Sequence, residues 1–258
     1  MQMLRVMLLA CAGSMVAAAV AGARGEVTIS AATSLTDVLQ QVAKLYEWRT
    51  GERLVLNFGA SNTLARQINA GARVDVFISA DVAQMDAVAT QIVPESRKDL
   101  LSNQLAIAVP EDRPRSFASI RDLLDPGIRR IAIGDPAAVP AGVYAKGYLE
   151  RLGLWKDVAS RMVPAGSVRL ALAAVENGAA DAAIVYRTDI LSGARAREAF
   201  IVPLEEGPPI RYPAAAIRGG ANPQGAQRLL AFFDSPEAVA LFKRVGFVPL
   251  GPRRRLHR

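Results

Sequence analysis

From residue 26 onward, short apolar runs alternate with segments of helical period, and the alternation occurs twice. Residues 27–30, 54–58 and 74–79 have the length and composition of buried strands. Between the first two, Leu35, Val38, Leu39, Val42, Leu45 and Tyr46 recur at helical spacing until Gly51. Between the second and third lies a helix carrying Leu64 and Ile68 and ending at Gly71. After a strand at 104–109 and a polar, proline-containing stretch to Ser116, the rhythm restarts. A helical stretch is predicted at 120–124, strands at 131–133, 162–163 and 182–186, and helices at 142–152 and 168–176, the last closed by Asn177-Gly178. A β-α-β order needs parallel strands with crossover helices on their faces. Two such units therefore predict an α/β protein of two lobes, each a mostly parallel sheet flanked by helices.

A strand at 212–217 and two helices, each with a proline at its first turn (Pro223, Pro236), complete the pattern. The expected organisation is a first lobe of residues 24–104 and 208–250, and a second of 105–207. The two crossings, near 103–109 and 202–213, act as hinges, and a ligand cleft lies between the lobes. Ahead of these stands a leader: Arg5, the uncharged run 6–20 and the Ala21-Gly22-Ala23 cleavage pattern predict a cleaved signal peptide over 1–23 and an exported, periplasmic product. A lipoprotein box around Cys11 is set aside, because only five residues separate Arg5 from Cys11. No later stretch is long and apolar enough to span a membrane.

Several chemistries lack their residues. Cys11 is the single cysteine and would leave with the leader, and His257 is the single histidine, next to the C-terminus. A Ser-His or Cys-His pair has no base, and a Cys/His zinc site cannot be assembled. The formal charge of +7 falls by five, to +2, once Arg5 and the tail arginines Arg253, Arg254, Arg255 and Arg258 are set aside. The basicity thus belongs to a tail at 251–258, and no run of stacking aromatics accompanies it, so nucleic acid is not an expected partner.

Four strand-to-helix loops share a character: A-A-T-S-L (31–35), F-G-A-S-N-T-L (58–64), V-P-A-G-V-Y (139–144) and A-G-S-V-R (165–169). Each is built of small residues before a helix. Taken singly, Ser34 reads as an N-cap, with Asp37 completing a capping box, and Ser61 reads as another. Pro140-Ala141-Gly142 alone is a rigid turn. Taken together, two loops to a lobe, they suit a shared anion: free N–H groups at helix starts attract negative charge, and small side chains admit it.

At these loops the chain resembles the periplasmic molybdate-binding proteins of molybdate ABC transporters, a type II periplasmic-binding-protein family. The similarity spans about 26–250 and rests on A-A-T-S-L-T, G-A-S-N-T-L-A-R-Q-I, V-D-V-F-I-S-A-D, G-D-P-A-A-V-P-A-G-V-Y-A-K, the 168–178 segment, A-I-V-Y and F-K-R-V-G-F. The resemblance implies capture of molybdate or tungstate by neutral donors: the hydroxyl and N–H of Ser34 and Ser61, the N–H of Ala141 and Val168, and the phenol of Tyr186. Asn62, and to a lesser degree Thr33, depart from the family pattern without removing a donor. It further implies a monomer that closes on its ligand and delivers it to a membrane permease, with no catalytic residue, no cofactor, and molybdenum held only as its oxyanion. An all-donor pocket leaves the proton of hydrogen phosphate unpaired, at a cost of about 1–3 kcal/mol, while sulfate is too small to reach every donor. Two alternatives are a sulfate- or phosphate-binding relative and a secreted serine-dependent enzyme. The enzyme lacks both a usable histidine, His257 standing in the tail, and a G-x-S-x-G elbow.

Overall fold

The computed structural model describes residues 25–192 and 195–251; the expected leader and residues 252–258 of the tail lie outside the described residues. The chain first lays down β1 (Val27–Ala32), α1 (Thr36–Thr50), β2 (Leu54–Gly59), α2 (Ser61–Asn69), β3 (Val76–Ile78), α3 (Val82–Asp86) and β4 (Lys98–Ser102). It then crosses at Asn103 and Gln104 into β5 (Leu105–Pro110), β6 (Ile131–Gly134), α4 (Pro140–Arg151), α5 (Trp155–Val158), β7 (Met162–Ala165), α6 (Val168–Glu176), β8 (Ala182–Tyr186), α7 (Arg187–Leu191) and β9 (Ala196–Ile201). Residues 202–211 return it to β10 (Tyr212–Ala216), α8 (Pro223–Phe232), α9 (Pro236–Arg244) and β11 (Val248–Pro249).

Two sheets result, ordered β11-β4-β10-β3-β1-β2 and β7-β6-β8-β5-β9. β1 pairs in parallel with β2 and β3, and β6 with β7 and β8, as the two crossover units require. Antiparallel partners extend both sheets: β10 joins β3 and β4, and β5 joins β8 and β9. The interior strands β5 and β8 are unbroken apolar runs because both their faces are covered. Pro164 is tolerated in β7 because that strand is an edge. Pro213, in the interior strand β10, is accommodated by a register shift at Tyr212/Pro213.

α1 ends where Gly51 adopts φ 69° and its N–H bonds the Glu47 carbonyl, a conformation costly for any side chain. The C-terminal segment is fastened to the N-terminal one at Glu52, a fully buried carboxylate. It accepts from the Tyr46 hydroxyl at 2.6 Å, Asn222 Nδ2 at 2.8 Å and Arg228 Nη2 at 2.7 Å. These bonds hold its pKa below the ordinary carboxylate value despite burial.

Some elements depart from the sequence reading. β4 (KDLLS) and β9 (AREAFI) are strands without a sequence expectation, because charged residues interrupt their apolar pattern. The helical stretch expected at 120–124 is present with those bounds as a 3-10 helix, Ile120–Leu124, opened by a Ser119/Asp122 capping box.

Candidate functional site

The strand ends converge. Ala32 and Gly59 are register partners at the C-terminal ends of β1 and β2, and Gly134 and Ala165 are partners at the ends of β6 and β7. From these ends the chain turns into the starts of α1, α2, α4 and α6. Parallel strands of one unit thus present their carboxyl edges, with the helix N-termini behind them, to the corresponding edges of the other.

Between them lies a cavity with about 220 Å³ free of atoms, lined by Ala32, Thr33, Ser34, Gly59, Ala60, Ser61, Ala80, Val139, Pro140, Ala141, Val168 and Tyr186. Ser34, Ser61, Ala141, Val168 and Tyr186 all lie on it, and all five are buried. Its open interior is only about 10 Å³, far below the ~300–1,000 Å³ of sites for organic molecules, which points to a small ligand. A wider groove of about 500 Å³ also reaches Ser34, lined by Asp37, Lys44, Arg169 and Leu191 among others, but it is open to solvent and collects none of the other four residues.

The serines are not caps. Ser34 lies within a 3-10 turn, Thr33–Leu35; α1 starts two residues later with Leu35 at its cap and no side-chain capping bond. Ser61 is the first residue of α2, which has Ala60 at its cap and no side-chain capping bond either. α4 likewise lacks one, its first turn being set by Pro140. α6 is the exception: Ser167 accepts from the Leu170 N–H at 3.2 Å. Helix starts buried without caps leave N–H groups that need a partner.

Each hydroxyl has one partner among the described residues, an accepted N–H for Ser61 and another hydroxyl for Ser34. Ser61 Oγ accepts the Ala80 N–H at 3.0 Å, and Ser34 Oγ lies 3.1 Å from the Tyr212 hydroxyl. The proton of Ser61 therefore stays available toward the cavity. Tyr186, which ends β8, is buried, and its hydroxyl has no hydrogen-bond partner among the described residues. Burial pushes its pKa well above the ordinary tyrosine value, with Tyr212, Tyr144 and the carboxylates Asp81 and Asp189 acting in the same direction. It remains a neutral proton donor. A buried phenol with nothing to bond costs the empty protein about 1–3 kcal/mol, a debt that an acceptor in the cavity would cancel.

A cation close to the cavity, Arg169, is already neutralised. Arg169 follows Val168 at the start of α6. It is ion-paired with Asp37 of α1, its Nε lies 2.9 Å from Asp189 Oδ1 without hydrogen-bond alignment, and Nη1 donates to Ser192 Oγ at 2.9 Å. Asp37, the expected capping-box partner of Ser34, is instead committed to this bridge between helices of the two units. Sequence reasoning missed Arg169, Asn103 and Tyr212. Asn62 does not line the cavity; its Oδ1 is buried and unpartnered. Among the described residues no cluster of His, Cys, Asp or Glu can hold a metal ion.

The molybdate-binding protein ModA of Escherichia coli K12 is 37% identical over 251 residues, covering 92% of this chain and 95% of its own. ModA of Haemophilus influenzae is 34% identical, covering 87% and 91%. The solved periplasmic molybdate-binding protein of Azotobacter vinelandii superposes with a TM-score of 0.79 at 27% identity, covering 86% of this chain and 98% of that one. The family model for bacterial extracellular solute-binding proteins matches residues 27–248. With two sheets meeting at a cavity of helix starts, and with that match across nearly all the described residues, the chain belongs to the bacterial extracellular solute-binding proteins.

Proposed function

We propose that this protein captures molybdate, and the similarly sized tungstate, in the cavity between its two lobes and delivers it to the permease of an ABC transporter. The observation that carries the reading is the buried Tyr186 hydroxyl, unpartnered and facing a cavity where uncapped helix starts and Ser61 also offer protons. The ligand contacts are the hydroxyls and N–H groups of Ser34 and Ser61, the N–H groups of Ala141 and Val168, and the Tyr186 phenol. Neutral dipoles of this kind can replace the hydration of a dianion without a counter-charge. The pairing of Arg169 with two carboxylates is consistent with a site that relies on none. The molybdate-binding names of the relatives at 37% and 34% identity support the choice of ion.

In this reading residues 24–104 with 208–250 form one lobe and 105–207 the other. The lobes close over the ion by a hinge motion at the two crossings, and the closed, monomeric form docks on the permease. The protein is exported to the periplasm through its leader, and it is a carrier rather than an enzyme.

Calorimetry of residues 24–258 against molybdate, tungstate, sulfate and phosphate tests the ion. Tight binding of the first two and none of the last two is expected; binding of sulfate or phosphate alone would overturn the assignment. A second test isolates Tyr186. Tyr186→Phe removes a hydroxyl that bonds nothing in the empty protein, so the ligand-free melting temperature should hold or rise. Affinity for molybdate should fall by roughly 10- to 100-fold, the worth of a hydrogen bond to a charged group. Unchanged affinity would remove Tyr186 from the site.

A further inference from the structure

The Ser34 hydroxyl can act as donor or as acceptor, and its own loop does not decide which. The decision lies 178 residues away, at Tyr212, whose hydroxyl sits 3.1 Å from Ser34 Oγ. Tyr212 is fully buried, and a second buried group reaches it: Asn103 Nδ2 donates to the Tyr212 oxygen at 3.2 Å and to Thr188 Oγ1 at 2.8 Å. The orientation of that amide is fixed by the backbone, because Asn103 Oδ1 accepts the Gln104 N–H at 2.8 Å. With Oδ1 so engaged, the NH₂ group must be the one facing Tyr212 and Thr188.

The polarity then propagates. Tyr212 accepts from Asn103, and among the described residues Ser34 is the other hydrogen-bond partner of its hydroxyl. If Ser34 donated to Tyr212, the phenolic proton would be buried with no acceptor. With Tyr212 donating, every proton is placed and the Ser34 proton is left for the cavity. We infer that Asn103 and Tyr212 form a one-way relay that fixes Ser34 as a donor, making Tyr212 a positioning residue for oxyanion selection. The inference rests on the reading of the cavity as an oxyanion site.

The fold supports the relay. The register shift at Tyr212/Pro213 marks the place where β10 departs from regular pairing. The Tyr212 ring is held at 5.5 Å edge-on to Phe247 and at 5.8 Å from the Tyr186 ring. Asn103 stands at the first crossing between the sheets and Thr188 on α7, so the donor state of Ser34 depends on contacts made at that crossing. With Ser61 accepting the Ala80 N–H, both serines then have their protons free for a ligand. A fully deprotonated oxyanion meets each of these protons with a lone pair, whereas the protonated oxygen of hydrogen phosphate meets them less well.

The test is a double-mutant cycle on affinity, run with whichever of molybdate, tungstate and sulfate binds the unaltered protein most tightly. Preference for the wrong ion thus sinks the reading of function and leaves the relay testable, whereas binding of none sinks both. Tyr212→Phe keeps the ring packing and should weaken binding roughly tenfold. In a Ser34→Ala background the same change should have no further effect, because Tyr212 acts only through Ser34. Asn103→Asp places an acceptor where Nδ2 was, reverses the relay and should weaken binding more than Tyr212→Phe. That reversal should vanish with Ser34→Ala, whereas a plain charge effect of the new carboxylate would persist. The ratio of affinities for the chosen ion and hydrogen phosphate should also narrow in Tyr212→Phe. Additive losses in either cycle, or wild-type affinity in a folded Tyr212→Phe protein, overturn the relay.

Discussion

Gly142→Ala should destabilise the protein by about 3 kcal/mol or more and weaken oxyanion binding with it. A Cβ at residue 142 would stand 1.9 Å from the Gly134 carbonyl oxygen, 2.6 Å from its carbon and 2.9 Å from the Asp135 carbonyl carbon. Carbon and oxygen approach no nearer than about 3.3 Å, and these neighbours are backbone atoms that cannot swing aside. Relief requires α4 to move off the end of β6. α4 seats Ala145, Tyr148 and Leu149 in the core and carries the Ala141 N–H at the cavity, so packing and site are lost in one displacement. Gly147→Ala, in the same helix, is the control. It is exposed, with nothing within 4 Å of where a Cβ would stand, and the change should stabilise by about 0.5–1 kcal/mol. Urea unfolding of both variants, with calorimetric affinity, checks the pair; a Gly142→Ala protein that unfolds like the wild type would refute the clash.

The contrast between these two glycines shows what a sequence can and cannot disclose. Both lie in one predicted helix, and only the sheet beneath Gly142 distinguishes them. α6, Val168–Glu176, was legible to its ends because its periodicity and its Asn177-Gly178 stop are local signals. The parallel cores β1-β2-β3 and β6-β7-β8 followed from the crossover rhythm. β4 and β9 did not, since their pairing is decided by neighbours far along the chain. The small-residue loops pointed to the cavity before any contact was known. Tyr186, at the end of an ordinary apolar strand, had no local signature and entered through family resemblance alone. Ser34 shows the limit most clearly. Locally it satisfies a capping pattern with Asp37, yet Tyr212 and Arg169, separated by 178 and 132 residues from Ser34 and Asp37, take those two side chains for other work.

Arg169→Met should therefore cost more than a surface charge, and its cost should depend on pH. Asp189 is fully buried, accepts the Tyr186 N–H at 3.2 Å and has Arg169 as its ion-pair partner. Burial pushes its carboxyl up to about 6, against the pull of Arg169 and of the backbone bond. A folded-state value above the unfolded one means that Asp189 stabilises the fold most when protonated, and that this contribution is lost as pH rises from about 4 through 6. Without Arg169 the folded-state value climbs further. Between about pH 6 and that higher midpoint the variant holds a proton that the wild type has released, so the stability gap should widen by about 1.4 kcal/mol per pH unit. Removing one partner of a buried pair costs about 3–5 kcal/mol in full, and that is the expected ceiling near pH 8. At pH 5 Asp189 is mostly neutral in both proteins, and the gap should shrink to the packing lost with the guanidinium and the weaker, half-exposed Asp37 contact. Asp37→Asn, which leaves Asp189 paired, should cost less than about 1 kcal/mol with little change across the same range. Unfolding free energies of the three proteins from pH 5 to 8 check this; a gap for Arg169→Met that stays flat with pH would show that Asp189 is not the group its removal exposes.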